Sequence, residues 1–387
     1  MNLLDRYIFR SVLFTAIAAV ALFTFVLAAG NIIRDLLGPL LSGQLPIGSF
    51  IRLVLLLIPF VTYYALPLGM LTGVLLTLGR LSSDSEVTAM RAAGMSVIRI
   101  ARPAFILAAI GVCVGLRVNF ESMPWARVQY HKELAVAVRA NPMSYIRPKT
   151  FIREFPGYVI YVGSKTVDAK TGNDLRDVWI WSLDSQKRVT RFVRAESGKV
   201  AYDEATNEFV LSLANFREEN HDQKAPDVYT QPLLVSTVGQ VEDIRLSLAR
   251  YFGASAVNQK LPWMTYRELI AEKARVEQEP LPKGGEKQKA RDVLKVSLTI
   301  QDKINMAVAI FTFAFIGVPL GIKVSRKETS ANLGLAVMLA LAYYFLVVVV
   351  GWLDQHPEYH PDLLLWIPNL VLLSLGGLLL YRLDRAS

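Results

Sequence analysis

Five stretches of this chain carry no charged residue: 11–33, 53–79, 304–322, 329–353 and 363–381. Each is near or above the roughly 18 apolar residues that mark a helix able to cross a bilayer. In hydrocarbon, every backbone N–H and C=O must be paired within the segment, so a run of this kind folds as a helix. A sixth run, 103–116, is short. It reaches spanning length if 97–100 and 118–120 join it, with Arg99, Arg102 and Arg117 snorkelling to the interfaces. Spanning helices are therefore predicted at about 11–36, 53–79, 98–120, 304–322, 330–353 and 363–381. The first is too long for the apolar core of a signal peptide and reads as an uncleaved anchor, although Leu27-Ala28-Ala29 weakly resembles a cleavage site.

Composition agrees with a membrane protein. The chain is 53% hydrophobic, above the roughly 45–50% of soluble domains. The single cysteine, Cys113, falls inside the third span, which excludes a disulfide framework and a cysteine metal site. Basic residues orient the spans. Arg6 and Arg10 precede the first span, Arg80, Arg91, Arg99 and Arg102 lie between the second and third, Lys323, Arg326 and Lys327 between the fourth and fifth, and Arg382 and Arg385 follow the sixth. The alternate short loops hold only Arg34 and Arg52. Both termini are thus expected in the cytoplasm and the long segment between spans three and four outside it. The net charge of +9 is accounted for by this pattern and calls for no nucleic acid.

The expected organisation is a first transmembrane half (1–122), an outer domain (123–260), a helical linker (261–303) and a second transmembrane half (304–387). The outer domain starts with a helix over 123–140, ended by Asn141-Pro142. Short β-rich runs follow at 150–155, 158–163, 177–183, 189–195, 199–203, 208–216 and 233–241. Phe209 to Leu213 alternate strictly, and Pro156-Gly157, Thr171-Gly172-Asn173-Asp174, Asp184-Ser185 and Asp203-Glu204 read as turns. That density of strands predicts an antiparallel sandwich or jelly roll. A helix over 265–279 opens on a capping box, Thr265-x-x-Glu268; the Pro- and Gly-rich 280–285 breaks it, and 286–303 reads as a charged lead-in to span four.

Between spans two and three lies a polar island, 80–102. Ser83 and Glu86 have capping-box spacing, Val87, Met90 and Met95 form a partial apolar stripe, and Gly94 stands where a helix C-terminal glycine belongs. A helix of about three turns is predicted, over 82–94. The cap alone explains Glu86. A capped helix lying along the cytoplasmic face also has the geometry by which a permease receives force from a separate motor.

Other candidates have plainer readings. His356-Pro357-Glu358-Tyr359-His360 puts two histidines four apart, but the proline opposes a helix and the glutamate is misplaced for a zinc motif. There is no G-x-x-x-x-G-K-[ST] motif and no Ser/His/Asp or Cys/His constellation on one side of the membrane. No cofactor is implied. Gly69-x-x-x-Gly73 permits close helix approach. Arg34, at the outer end of span one, either snorkels to headgroups or binds the phosphate of an anionic amphiphile, with Arg52 and Arg117 near the same level.

The order of spans, the inserted β domain and the run Leu78 to Gly94 resemble the LptF/LptG family of lipopolysaccharide-export permeases. Leu66-Pro67-Leu68-Gly69 belongs to the same likeness, and Ala140-Asn141-Pro142 is closer to the F-type member. The resemblance implies a permease of an ABC transporter in the bacterial inner membrane, itself no enzyme. Its partners would be a cytoplasmic ATPase dimer, a second G-type permease and a periplasmic bridge protein of the LptC/LptA type. Lipopolysaccharide would enter between the first and fifth spans and pass to the periplasmic β-jelly-roll. A family glutamate that contacts the ATPase falls on Glu86, with Ser83, Asp84 and Arg91 on the same segment. Arg34 matches a phosphate-facing basic position, whereas Asn31 stands where some members have a second one. The alternative is a membrane-anchored sensor or assembly scaffold whose outer domain binds a partner.

Overall fold

The computed structural model describes residues 3–41, 43, 45–140, 146–153, 155, 157–168, 172–184, 186–203, 208–220, 234–238, 242–247, 260–279, 286–323, 329–352 and 357–385. Asn141-Pro142, the 280–285 break, Pro156, Thr171, Ser185, Glu204, Arg326, Lys327 and His356 lie outside them. The chain divides into two compact units: Met1–Arg34 with Val54–Tyr130 and Gln259–Ser387, and Asp35–Leu53 with His131–Asn258.

Helix α1 (Leu3–Asn31) leads through a π-helical turn (Ile32–Leu36) into α2 (Leu37–Leu41). Then come α3 (Ile47–Ser83), the short α4 (Glu86–Ala92) and α5 (Val97–Arg117). A second π-helical turn (Val118–Ser122) joins α5 to α6 (Met123–Ala140). Past the strands lie α7 (Tyr266–Gln278), α8 (Glu286–Lys323), α9 (Thr329–Gly351), α10 (Pro361–Leu364) and α11 (Ile367–Arg385). Among the described residues, six helical stretches are long and apolar enough to cross a membrane: Leu3–Leu41, Ile47–Ser83, Val97–Leu134, Gln288–Lys323, Gly334–Gly351 and Pro361–Arg385. Helices outrun the uncharged stretches because a charged side chain can snorkel without ending backbone pairing. So α3 carries Pro59 and Pro67 inside it and passes Arg80 to stop at Ser83.

Small residues set the spacing of the helical unit. A Cβ built on Gly73 would lie 2.5 Å from Ala16 Cα, and one on Gly69 would lie 2.7 Å from Val20 N. Only glycine admits α1 this close to α3. The Thr15 and Thr77 hydroxyls hydrogen-bond across the same contact. Helix α8 packs through Gly317 and Gly321 against Val74 and Leu75 of α3, and Gly376 of α11 faces Phe315 and Ile316 of α8. On α5, Gly115 meets Ile310 and Ala307 of α8.

The strands are β1 (Phe151–Ile152), β2 (Tyr158–Asp168), β3 (Gly172–Leu183), β4 (Val189–Asp203), β5 (Glu208–Asn220), β6 (Leu234–Val238) and β7 (Glu242–Ser247). They form one antiparallel sheet in the order β1-β2-β3-β4-β5, with β6 and β7 both pairing β5. Ile160, Val162, Val178, Ile180, Val193, Ala195, Phe209, Leu211 and Leu213 build its core. Alternation along β5 buries Phe209, Leu211 and Leu213 and leaves their neighbours partly exposed, as the sequence pattern predicts. The expected strands 189–195 and 199–203 are one strand, because Ser197 and Gly198 stay paired with Ala214 and Leu213. Likewise Gly172 to Asp174, expected in a turn, begin β3 and pair with β2.

Candidate functional site

The segment joining α3 to α5 is built differently from its predicted form. Because α3 continues to Ser83, the Ser83 hydroxyl donates back to Arg80 O at 2.9 Å and caps nothing. Asp84 N also bonds Arg80 O, and Ser85 turns the chain with φ 62° as the residue preceding α4. The Ser83–Glu86 capping box is therefore absent, and α4 has two turns rather than three. Its end is as expected. Gly94 at φ +83° lets Met95 N reach Met90 O (3.1 Å) and Gly94 N reach Arg91 O (2.9 Å), the paired bonds of a Schellman motif. Val87 and Met90 are buried, and Met95 packs beside them, so the apolar stripe faces the helical unit.

Four bonds fix where α4 and its flanks sit. Tyr7 Oη in α1 donates to Glu86 Oε1 at 3.3 Å. Arg91 Nη2 donates to Leu383 O in the last turn of α11 at 3.1 Å. Val97 N, opening α5, donates to Asp384 Oδ1 at 3.3 Å. Ser82 Oγ donates to Ile322 O at the end of α8 at 2.8 Å. An Arg99–Asp5 ion pair of 3.7 Å links α5 to α1. The predicted coupling residues thus divide. Ser83 and Asp84 are exposed, with Ser85, Thr88, Ala89 and Ala92 beside them. Glu86 and Arg91 are half-buried and bond inward.

The three predicted lipid-facing arginines are each paired nearby. Arg34 lies exposed in the first π-helical turn and donates to Asn31 Oδ1 at 3.2 Å. Arg52 meets Glu133 at 3.4 Å, and Arg117 meets Glu121 one turn on at 3.1 Å. These surface pairs are weak and exchangeable.

At the end of the helical unit opposite α4 lies a polar network the sequence reading missed. Lys303 Nζ donates to Asn119 O (2.9 Å) and Met264 O (3.1 Å), and Asn119 Nδ2 donates back to Lys303 O (2.8 Å). Tyr63 Oη donates to Asp302 Oδ2 at 2.6 Å. Asn369 Nδ2 donates to Asn305 Oδ1 at 2.6 Å, and Asn305 Nδ2 to Tyr343 Oη at 3.3 Å. Spans two to six all contribute. Asp302 and Lys303 were expected in a charged lead-in; the helical register instead turns Lys303 and Asn305 into the bundle. The available signal was polar spacing inside apolar runs: Asp302, Lys303 and Asn305, together with the isolated Asn119 and Asn369.

Six spanning helices, a β domain inserted after the third and a braced two-turn helix between the second and third define a polytopic membrane protein of the permease class. Residues 6–382 match the lipopolysaccharide export system permease LptF/LptG family, and the chain belongs to that family. It is similar to the lipopolysaccharide export system permease proteins LptF of Escherichia coli (strain K12) and Shigella flexneri. Each is 21% identical over 375 residues, covering 96% of this chain and 92% of the relative.

Proposed function

We propose that this chain is the F-type permease of an ABC transporter that takes lipopolysaccharide from the inner membrane and passes it through the β domain to a periplasmic bridge protein. ATP is hydrolysed on a separate cytoplasmic subunit, to which α4 docks. The permease pairs with a G-type homologue, keeps both termini in the cytoplasm and holds the β domain in the periplasm.

The observation that carries this reading is α4 itself. A two-turn helix would not hold its shape alone, yet it is bonded to the ends of two longer helices while Asp84, Ser85, Thr88 and Ala89 remain exposed. An outward face on a braced support suits the transfer of force from a partner. Lateral access for lipid is supported by α1 and α9, which present Phe14, Phe25, Met338, Leu341 and Phe345 outward. Arg34, at the end of α1, would meet the lipid phosphate, with Arg52 and Arg117 as further basic residues at the outer level.

The test is purification from native membranes followed by reconstitution. A stoichiometric ATPase and a second permease are expected, and a chain recovered without either would sink the transporter reading. Within the complex, Glu86→Ala is expected to lower ATP-driven export at least about tenfold; export at the wild-type rate would remove Glu86 from the coupling path. Arg34→Asp is expected to weaken lipopolysaccharide photocrosslinking near α1, and unchanged crosslinking would count against its contact with phosphate.

A further inference from the structure

We infer that Arg91 and Asp384 are positioning residues of the transport cycle, forming a reciprocal clamp that carries movement of α4 into the last helix. Residues 383 and 384 are neighbours on the final turn of α11, and each takes one bond from the α4–α5 joint. Arg91 donates to Leu383 O at 3.1 Å, and Asp384 accepts from Val97 N at 3.3 Å. The chemistry of helix ends explains the pairing. The last carbonyls of a helix have no partner within it, and neither do the first N–H groups of the next. A cation suits the first end and an anion the second, because the helix dipole is negative at its C-terminus and positive at its N-terminus. Arg91 supplies the cation to α11, and Asp384 of α11 supplies the anion to α5. Ser96, accepting from Arg99 N at 3.3 Å, satisfies another N–H of the same α5 turn.

Two opposed bonds constrain more than one. The Leu383 side chain packs into the same cluster as Val87, Met90 and Val97, so apolar contact and both caps hold the same three helix ends together. Sliding or tilting α4 away from α11 would strip the cap from one helix, and moving α5 away would strip it from the other. Motion of α4 is therefore transmitted to α11, while Ile8 and Val12 of α1, which share the cluster, and the exposed Tyr7–Glu86 bond keep α4 seated on α1. Arg91 then acts inward and not as an ATPase contact.

This inference rests on α4 being the docking element, and its test separates the two. In the full chain with Cys113→Ser, spin labels at Thr88→Cys and Arg382→Cys, both exposed, report the distance between α4 and α11. A single narrow distribution is expected for the parent, and a broadened one for Arg91→Ala and Asp384→Ala. In the reconstituted complex, Asp384→Ala is expected to keep its ATPase subunit and hydrolyse ATP within about twofold of the parent while export falls about tenfold. Arg91→Lys and Asp384→Asn retain a donor and an acceptor and are expected to recover most of the export. Narrow distributions in the alanine variants, export within about twofold of the parent, or loss of the ATPase from Asp384→Ala would each overturn the clamp. A parent chain that binds no ATPase would sink the proposed function and the transmission role with it, while the label distances would still report whether α4 and α11 are joined.

Discussion

The two ends of the helical unit solve the same problem, polar groups on apolar helices, in opposite ways. At one end, Asn119, Lys303, Asn305 and Asn369 are all at most 2% exposed and bond to one another or to buried backbone. At the α4 end, Glu86, Arg91 and Ser82 are half-buried, and each has one bond to a different long helix. In low dielectric such bonds are strong, and the loss of any member strands its partners. Near water a lost bond is replaced by solvent at little cost. The first end is a fixture and the second is a joint, a division suited to a machine that must move at one end without coming apart at the other.

The sharpest way to break this contrast is Lys303→Met. The substitution keeps side-chain length and removes the donor to Asn119 O and Met264 O, leaving two carbonyls short of a partner at a position that is 2% exposed. A destabilisation of about 3 kcal/mol or more is expected, as for breaking a buried polar cluster from one side. Reversible unfolding in detergent checks it. A loss below about 0.5 kcal/mol, typical of a surface change, would show this end to be as forgiving as the joint.

Between the ends, α1 is held by close backbone contact. Gly73→Leu would drive a side chain into Ala16, whose Cα is already 2.5 Å from where a Cβ would stand. Overpacking of this kind costs about 1–3 kcal/mol, less than the buried network because α1 can shift outward. Gly30→Ala is the control, since a Cβ there meets nothing within 4 Å. Equal stability of the two variants by thermal unfolding would mean that α1 is not fixed by the glycine contact.

Much of this architecture is legible in the chain because it follows from local rules. Uncharged runs announce spans, alternation such as that of Phe209 to Leu213 announces strands, and Gly94 announces a helix end. What local rules miss is register over long elements. Arg80 suggested that a helix ended, yet α3 ran on to Ser83, which used up the hydroxyl that a capping box needed. The runs 189–195 and 199–203 read as two strands, yet strand pairing carried through between them. Lys303 looked like the edge of a charged segment, and only the packing of spans around α8 shows that it faces inward. In the candidate site, Val87 and Met90 were readable from spacing. The inward bonds of Glu86 and Arg91 were not, since their partners Tyr7 and Leu383 lie 79 and 292 residues away.

The smallest expected effect falls on the joint. Tyr7→Phe removes the hydroxyl that donates to Glu86 Oε1 at 3.3 Å and leaves the ring in place. Both groups lie at an exposed contact, so water replaces the bond, and stability is expected to change by no more than about 0.5 kcal/mol. If the joint works as its geometry suggests, the freed Glu86 carboxylate lets α4 drift relative to α1, and export should fall severalfold although the fold is intact. Unfolding and export measured on the same preparation separate the two effects. A stability loss as large as that from Lys303→Met would make Tyr7–Glu86 part of the frame, and the distinction between fixture and joint would fail where it is easiest to see.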